Sequence, residues 1–329
     1  MRLIIKILLL IVVIALIYLG VHFASAYREI VVGEQEESSW LKDIFGFLKK
    51  DGTDPSATPD PDPYPAEEAN RFDILVLGIR GDNDPDSGSL LTDTMMLLSI
   101  DTVSEKTTLI SLPRDLYIDM QGIKGKINEI YVNGLQKNQG LTLTSQIVSR
   151  ITGIHVDKAV LFDFKAFSEI VNTLGGVDVY LAQPFLEKTQ WGYEFSLPAG
   201  NNHLNGQQAL YYVRSRYSSS DFDRARRQQD VMLAIKKKAT GIGFLADPRN
   251  ITALLNSLKG SVRTNFELWE IKDMLSLAEK IKSSNLNSEV ISTANFLYET
   301  HLSSGEYILL PKGDDFGLLR EHFKTLLTL

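Results

Sequence analysis

Between Leu3 and Ala24 the chain is apolar almost without a break, with Lys6 as its one formally charged residue. About 20 apolar residues cross a bilayer as a helix, since inside lipid every backbone N–H and C=O must be satisfied internally. Arg2 and Lys6 lie at the start of the run and no acidic residue precedes Glu29. Basic flanks stay cytoplasmic, so residues 1–26 are expected to form a cytoplasmic N-terminus and one signal-anchor helix of a single-pass cell-membrane protein. Everything beyond Ala24 is then extracytoplasmic. Ala24-Ser25-Ala26 has the small-residue pattern of a signal-peptidase site, which makes a cleaved leader the competing reading; the apolar run is longer than a usual leader core and favours the anchor.

Residues 27–70 read as a spacer. Trp40, Leu41, Ile44, Phe45 and Leu48 recur at helical spacing beside Lys42, Lys49 and Lys50, as in a helix lying on a membrane surface or an amphipathic spacer. Asp51–Glu68 holds five of the eleven prolines among Asp, Ser and Thr, which predicts an extended linker. The folded domain is expected over 71–329, long enough for one large core. A net charge of -7 argues against general nucleic-acid binding, so no nucleic acid is expected as a partner. With no cysteine and five histidines at 22, 155, 203, 301 and 322, thiol chemistry and helical His-pair metal sites are excluded. Any bound ion would take carboxylates, which suits a hard cation such as Mg²⁺.

Within the domain, Phe72–Ile79 reads as a buried strand, and Thr94–Ile100 with Thr107–Leu112 as a hairpin turning at Val103–Lys106. Helical spacing covers Ile127–Asn138 and Leu143–Ile151. Ala159–Phe162, a helix over Phe164–Leu174 stopped by Gly175-Gly176, and Val177–Leu181 predict a strand–helix–strand unit. Asn205 caps a short helix to Tyr212 and Asp221 a longer one to about Lys238. Helices over Ile251–Leu258, Leu268–Ile281 and from Phe316, with strands at Val290–Asn295 and Tyr307–Leu310, complete the pattern. Such interleaving predicts an α/β fold, a single αβα sandwich around a mixed central sheet.

Five of the fourteen arginines fall between Arg214 and Arg227. Guanidinium groups so crowded repel one another unless an anion neutralises them, and phosphate matches their bidentate geometry. On a helix capped at Asp221, Arg224, Arg227 and Gln228 share a face while Arg226 points elsewhere. Arg214 and Arg216, two apart in an extended segment, point to one side. The competing reading is a solvated ion-pair network with Asp221, Asp223 and Asp230. Further polar groups mark strand exits and helix starts: Arg80 with Asp82 and Asp84, Asp93, Arg114 with Asp115 after Pro113, and Lys126. Clustering at strand ends is where open α/β sheets build their sites.

In order along the chain, Phe72-Asp-Ile-Leu-Val-Leu-Gly, Thr92-Asp-Thr-Met-Met-Leu, Ser111-Leu-Pro-Arg-Asp, Lys126-Ile-Asn, Leu174-Gly-Gly-Val, Tyr212-Val-Arg-Ser-Arg and Asp221-Phe-Asp-Arg-Ala-Arg-Arg-Gln resemble the motifs of LytR-CpsA-Psr proteins of bacterial envelopes. The resemblance covers about Phe72 to Lys238. It implies a phosphotransferase that moves a phosphorylated glycopolymer from a polyprenyl diphosphate lipid onto a peptidoglycan sugar hydroxyl with Mg²⁺ or Mn²⁺. By motif, Asp93 would be a metal ligand, and Arg114, Lys126, Arg214, Arg216, Asp221, Arg224, Arg227 and Gln228 would surround the diphosphate, with an apolar tunnel for the lipid. Two positions depart from the family pattern. Arg80 stands where an Asp is usual and Leu91 where an Arg is usual, so Arg80 is expected to replace the missing arginine and Asp82 or Asp84 the missing metal ligand. A lipid diphosphatase using water as acceptor, a DNA-binding regulator carried by the basic helix, and a non-catalytic lipid-phosphate binder are the competing readings.

Overall fold

The computed structural model describes residues 62–81, 88–217, 220–241, 248–267, 270 and 286–328. Leu3–Ala24, Glu36–Lys50, Asp82, Asp84 and, Glu270 apart, the helix expected over Leu268–Ile281 lie outside them. Among the described residues no helix is long and apolar enough to cross a membrane.

The first apolar run forms β1 (Arg71–Gly78), followed by β2 (Thr94–Asp101) and β3 (Thr107–Ser111) in an antiparallel meander. The β2–β3 turn falls where the sequence places it, because the Asp101 carboxylate accepts from the N–H groups of Val103 and Ser104, each at 2.8 Å. A small hairpin of β4 (Tyr117–Met120) and β5 (Ile123–Lys126) follows, then α1 (Ile130–Leu135), entered through a tight turn at Ile127–Glu129, and α2 (Gly140–Thr152). β6 (Lys158–Phe162) runs parallel to β1. α3 (Phe164–Thr173) starts where the Asp163 side chain accepts from Ala166 N–H at 2.7 Å.

β7 (Val177–Leu181), β8 (Phe185–Glu187), β9 (Phe195–Leu197) and β10 (Gly200–Leu204) then form two separate pairs, β7 with β10 and β8 with β9. α4 (Gly206–Arg214) has the expected Asn205 cap, reciprocated by Gln208. α5 (Asp221–Gly241), α6 (Pro248–Ser257), β11 (Val262–Thr264), β12 (Leu286–Val290), β13 (Leu297–His301), β14 (Tyr307–Pro311) and α7 (Gly317–Thr328) complete the chain.

The central sheet has the order β11-β6-β1-β2-β3-β12 and is mixed. Alternation along β1 explains its two dry faces. Leu75 and Leu77 join Leu97 and Ile110 in a core closed by Tyr131, Ile147, Val148 and Phe323 from α1, α2 and α7. Ile74 and Val76 face the other way with Met96, Ile100 and Leu109, against Met232 and Leu233 of α5. Helices therefore cover both faces, and each fully buried Leu or Ile contributes roughly 1.5–3 kcal/mol. A satellite core joins α3, α4 and α5 to β7 and β10 through Val171, Val177, Leu204, Ala209 and Val231.

Several sequence expectations change. β7 does not extend the central sheet, because both edges of β6 are taken, by β1 and β11. It pairs with β10 instead, and its alternate residues Asp178 and Tyr180 are exposed. The strand expected at Val290–Asn295 ends at Val290, where Ser292 N–H donates to the Asn295 side chain at 2.7 Å and turns the chain. The helix expected from Ile127 to Asn138 is shorter, with Asn138 at φ 56°. α5 is capped by Ser220 rather than Asp221: Ser220 Oγ accepts from Asp223 N–H at 3.1 Å, and the Asp223 carboxylate accepts from Ser220 N–H at 3.2 Å.

The domain also begins before Arg71. The Asp62 carbonyl accepts from Arg150, whose side chain is buried in α2, and the Asp62 carboxylate pairs with Arg320 of α7. Arg150 lies 5.7 Å from the Tyr64 ring centroid, and Tyr64 meets His155 edge-on at 5.6 Å. Residues 62–64 thus fasten the spacer's end across α2 and α7. Asp62→Ala is expected to cost about 2 kcal/mol by removing the acceptor of a charge-assisted bond beside a buried arginine. Urea unfolding of the full-length protein measures this, and a loss under about 0.5 kcal/mol would make the fastening incidental.

Candidate functional site

Strand register assembles the site. Gly78 lies opposite Thr94 and Met96 opposite Ser111, so the exit of β1, the entry of β2 and the exit of β3 meet at one end of the sheet. Arg80, Asp93 and Arg114 are therefore brought to neighbouring strand ends. Gly78 permits the approach: a Cβ there would lie 2.9 Å from the Thr94 Cβ. The first turn of α5 reaches the same end, with Arg224 Nη2 3.5 Å from the Asp93 carbonyl oxygen.

Arg114 is the hub. Its Nη1 is 2.5 Å from Asp93 Oδ1, and its Nε is 3.5 Å from both Asp115 Oδ2 and Asp221 Oδ2. Burial works against its charge, but Asp93, with Asp115 and Asp221 behind it, outweighs that and pushes the guanidinium up. Lys126, at the end of β5, joins Asp115 at 3.0 Å and Glu306 at 3.1 Å. Arg216 pairs with Asp221 through Nε at 3.0 Å and Nη2 at 3.4 Å. Arg224 Nη1 lies 3.4 Å from the same carboxylate. Burial pulls Arg224 down to about 10; Asp221 attracts it while Arg114 and Arg216 repel it.

Two cavities share this cluster. One, of about 500 Å³, is lined by the apolar Met95, Leu112, Pro113, Phe222, Val290 and Leu309 together with charged residues that include Arg114, Lys126, Arg216, Asp221 and Arg224. The other, of about 230 Å³, adds Arg80, Arg214, Phe164 and Gln190. Asp93, Arg114, Arg216, Arg224 and Gln228 line both. A charged partition thus stands between an amphipathic cleft and a polar one.

Not every expected residue converges. Arg227 lines neither cavity; its Nε donates to the Tyr212 carbonyl at 2.9 Å and its Nη2 to the Ser215 carbonyl, with the Phe185 ring 5.2 Å away. Carbonyls at a helix C-terminus lack intrahelical donors, and Arg227 fills that need for α4. Helical spacing put it with Arg224 and Gln228, but this buried demand turns it aside. Arg214 is not in an extended segment. It is the last residue of α4, and its guanidinium stacks between Phe164 at 4.1 Å and Trp191 at 5.0 Å. Arg226 is exposed on Asp223 at 2.8 Å, pointing away as its spacing predicts.

Other contributors carried no legible signal. The β8–β9 hairpin tip clasps the α4–α5 turn: Gln190 Nε2 donates to the Arg214 carbonyl at 3.1 Å, and its Oε1 accepts from Arg216 N–H at 2.6 Å. Trp191 Nε1 donates to Ser215 Oγ at 3.3 Å while its ring stacks on Tyr211. A tryptophan in a polar hairpin tip beside Gly192 is the one hint in the sequence. Glu299 and Tyr307 of β13 and β14 complete the large cleft. Among the described residues no three His, Asp or Glu side chains are grouped to hold a metal ion. Asp93 offers a single carboxylate at the partition, and Asp82 lies outside the described residues.

Comparison with known proteins places this geometry. The chain is 29% identical over 223 residues to the Enterococcus faecalis polyisoprenyl-teichoic acid–peptidoglycan teichoic acid transferase TagU, covering 65% of this chain and 69% of that protein. It is 28% identical over 261 residues to the Bacillus cereus TagU, covering 78% and 76%. The Staphylococcus aureus regulatory protein MsrR is 29% identical over 236 residues, covering 67% and 68%. The crystal structure of Bacillus subtilis TagV superposes with a TM-score of 0.62 at 25% identity, over 79% of this chain and 98% of that one. The profile of the LytR_cpsA_psr family matches residues 47–321, and the chain belongs to that family.

Proposed function

We propose that this protein transfers a phosphorylated glycopolymer from a polyprenyl diphosphate carrier to a sugar hydroxyl of peptidoglycan during cell wall assembly. The observation that carries this reading is the partition of Arg114, Arg216, Arg224 and Gln228, which borders a partly apolar cleft on one side and a polar one on the other. A lipid diphosphate has that polarity: an apolar tail, two phosphates, then a sugar. The names of the TagU relatives support glycopolymer transfer.

In the reaction the acceptor oxygen bonds to the phosphorus that carries the polymer, and the bond from that phosphorus to the lipid phosphate oxygen breaks. Lipid monophosphate leaves with the electron pair, and the proton given up by the acceptor hydroxyl passes to it or to water. Charge builds on both phosphates, so positioned guanidiniums do most of the work. Arg114, Arg216 and Arg224 supply them, Gln228 adds an amide donor, and Arg80 and Arg214 line the side where the sugar would lie. Lys126 stands farther along the large cleft. A divalent ion such as Mg²⁺ or Mn²⁺ fits an all-oxygen donor set of one carboxylate and substrate phosphates, and Asp93 is the described residue that would hold it. When bound, it would further neutralise the diphosphate. A second ligand from Asp82 belongs to the same proposal, as does anchoring by Leu3–Ala24 with the folded part outside the cytoplasm.

Arg114→Lys, Arg216→Lys and Arg224→Lys keep charge but lose the fork, and each is expected to lower transfer of labelled polymer by about tenfold or more. Arg226→Ala should leave it unchanged. Arg227→Ala should instead lower melting temperature through the loss of about 2 kcal/mol at the α4 C-terminus. Full activity in all three folded Lys variants would sink the diphosphate assignment, and release of polymer phosphate without an acceptor would favour a diphosphatase.

Asp93→Asn should abolish Mn²⁺ binding seen by paramagnetic resonance, with transfer falling on the order of a hundredfold. Unchanged Mn²⁺ spectra, or full turnover in excess chelator, would remove the ion. A phosphatase reporter active only outside the cytoplasm, fused after Lys50, is expected to be active; an inactive, stably expressed fusion would overturn the topology.

A further inference from the structure

Asp221 is the odd member of the cleft. A carboxylate only accepts hydrogen bonds, so it gives a phosphate nothing and repels it. Yet its two oxygens hold Arg216 at 3.0 and 3.4 Å, Arg224 at 3.4 Å and Arg114 at 3.5 Å. Among the described residues it is the one carboxylate in ion-pair contact with Arg216 and Arg224. Three guanidiniums thus converge on its carboxylate.

The other two acids on Arg114 differ. Asp115 keeps Lys126 at 3.0 Å, and Asp93 keeps Arg114 at 2.5 Å. Every cation on Asp221 is one that an incoming diphosphate would recruit. The helix cap does not use the Asp221 side chain. Asp221 opens α5 one residue after the Ser220 cap, so the Ser220–Asp223 box holds the helix end without it, and its side chain is partly exposed.

We propose that Asp221 is a displaceable internal stand-in for phosphate. The seat itself needs only the arginines; that a lipid diphosphate is what displaces Asp221 rests on the transfer reading above. With no ligand, Asp221 neutralises three guanidiniums that would otherwise repel one another. A diphosphate ester takes over Arg216 and Arg224 and turns the Asp221 carboxylate out of their reach.

The test is calorimetric titration of full-length protein in detergent with inorganic pyrophosphate, alongside polymer transfer kinetics. Asp221→Asn should bind pyrophosphate about tenfold more tightly, since a like charge has left the seat. Its KM for lipid-linked polymer should not rise. Asp223→Asn, on the same turn but paired with Arg226, should match wild type in both. Equal or weaker pyrophosphate binding by Asp221→Asn and Asp221→Ser, both with normal melting, would overturn the stand-in and leave Asp221 as an aligner of arginines. Wild-type protein that binds pyrophosphate but never transfers polymer would remove the transfer reading while the seat stands.

Discussion

The Arg114 guanidinium ties the sheet to the helix that covers its end. It belongs to the exit of β3, grips Asp93 at the entry of β2, and reaches Asp221 in the first turn of α5. Three elements far apart in sequence meet through one planar cation. Its partners form a chain of alternating sign: Glu306, Lys126, Asp115, Arg114, Asp221, then Arg216 and Arg224. Such a network in a half-buried cleft is costly to assemble from hydrated charges. The cost is tolerable where the network prepositions charge for a ligand that replaces some of its members.

Arg224 and Arg227 show how context divides two arginines of one helix. Both are buried, and burial lowers both. Arg227 answers with two backbone carbonyls and the Phe185 and Tyr212 rings, so its needs are met within the protein. Arg224 has one carboxylate at 3.4 Å, one carbonyl at 3.5 Å and two guanidinium neighbours. The first fastens structure; the second remains short of negative charge, as an anion site requires.

Much of this was legible along the chain, for identifiable reasons. β1, β2 and β3 follow from continuous apolar runs, and Arg114 and Asp93 from their place at strand ends next to Pro113 and Thr94. The helices with local caps, α3 at Asp163 and α4 at Asn205, start where their side chains predict. What failed is what depends on distant partners. β7 reads like a crossover strand, but only tertiary structure reveals that β11 holds the edge of β6. The Gln190 clasp uses a side chain that any exposed loop could carry, and nothing local marks its two backbone partners.

Arg80 and Leu91, the two positions at which the resemblance to the family motifs breaks, meet within this framework. Leu91 sits against Gly88, where a Cβ would come within 3.0 Å of its Cδ1 and 3.6 Å of Arg80 Nη2. Arg80, just after β1, lines the smaller cavity. Strand pairing explains how the two come together: Gly78 lies opposite Thr94, so residues just after β1 and just before β2 project from the same end of the sheet. A side chain carried just after β1 therefore reaches the same end of the sheet as one carried just before β2. The cluster is built on strand register rather than on a single loop.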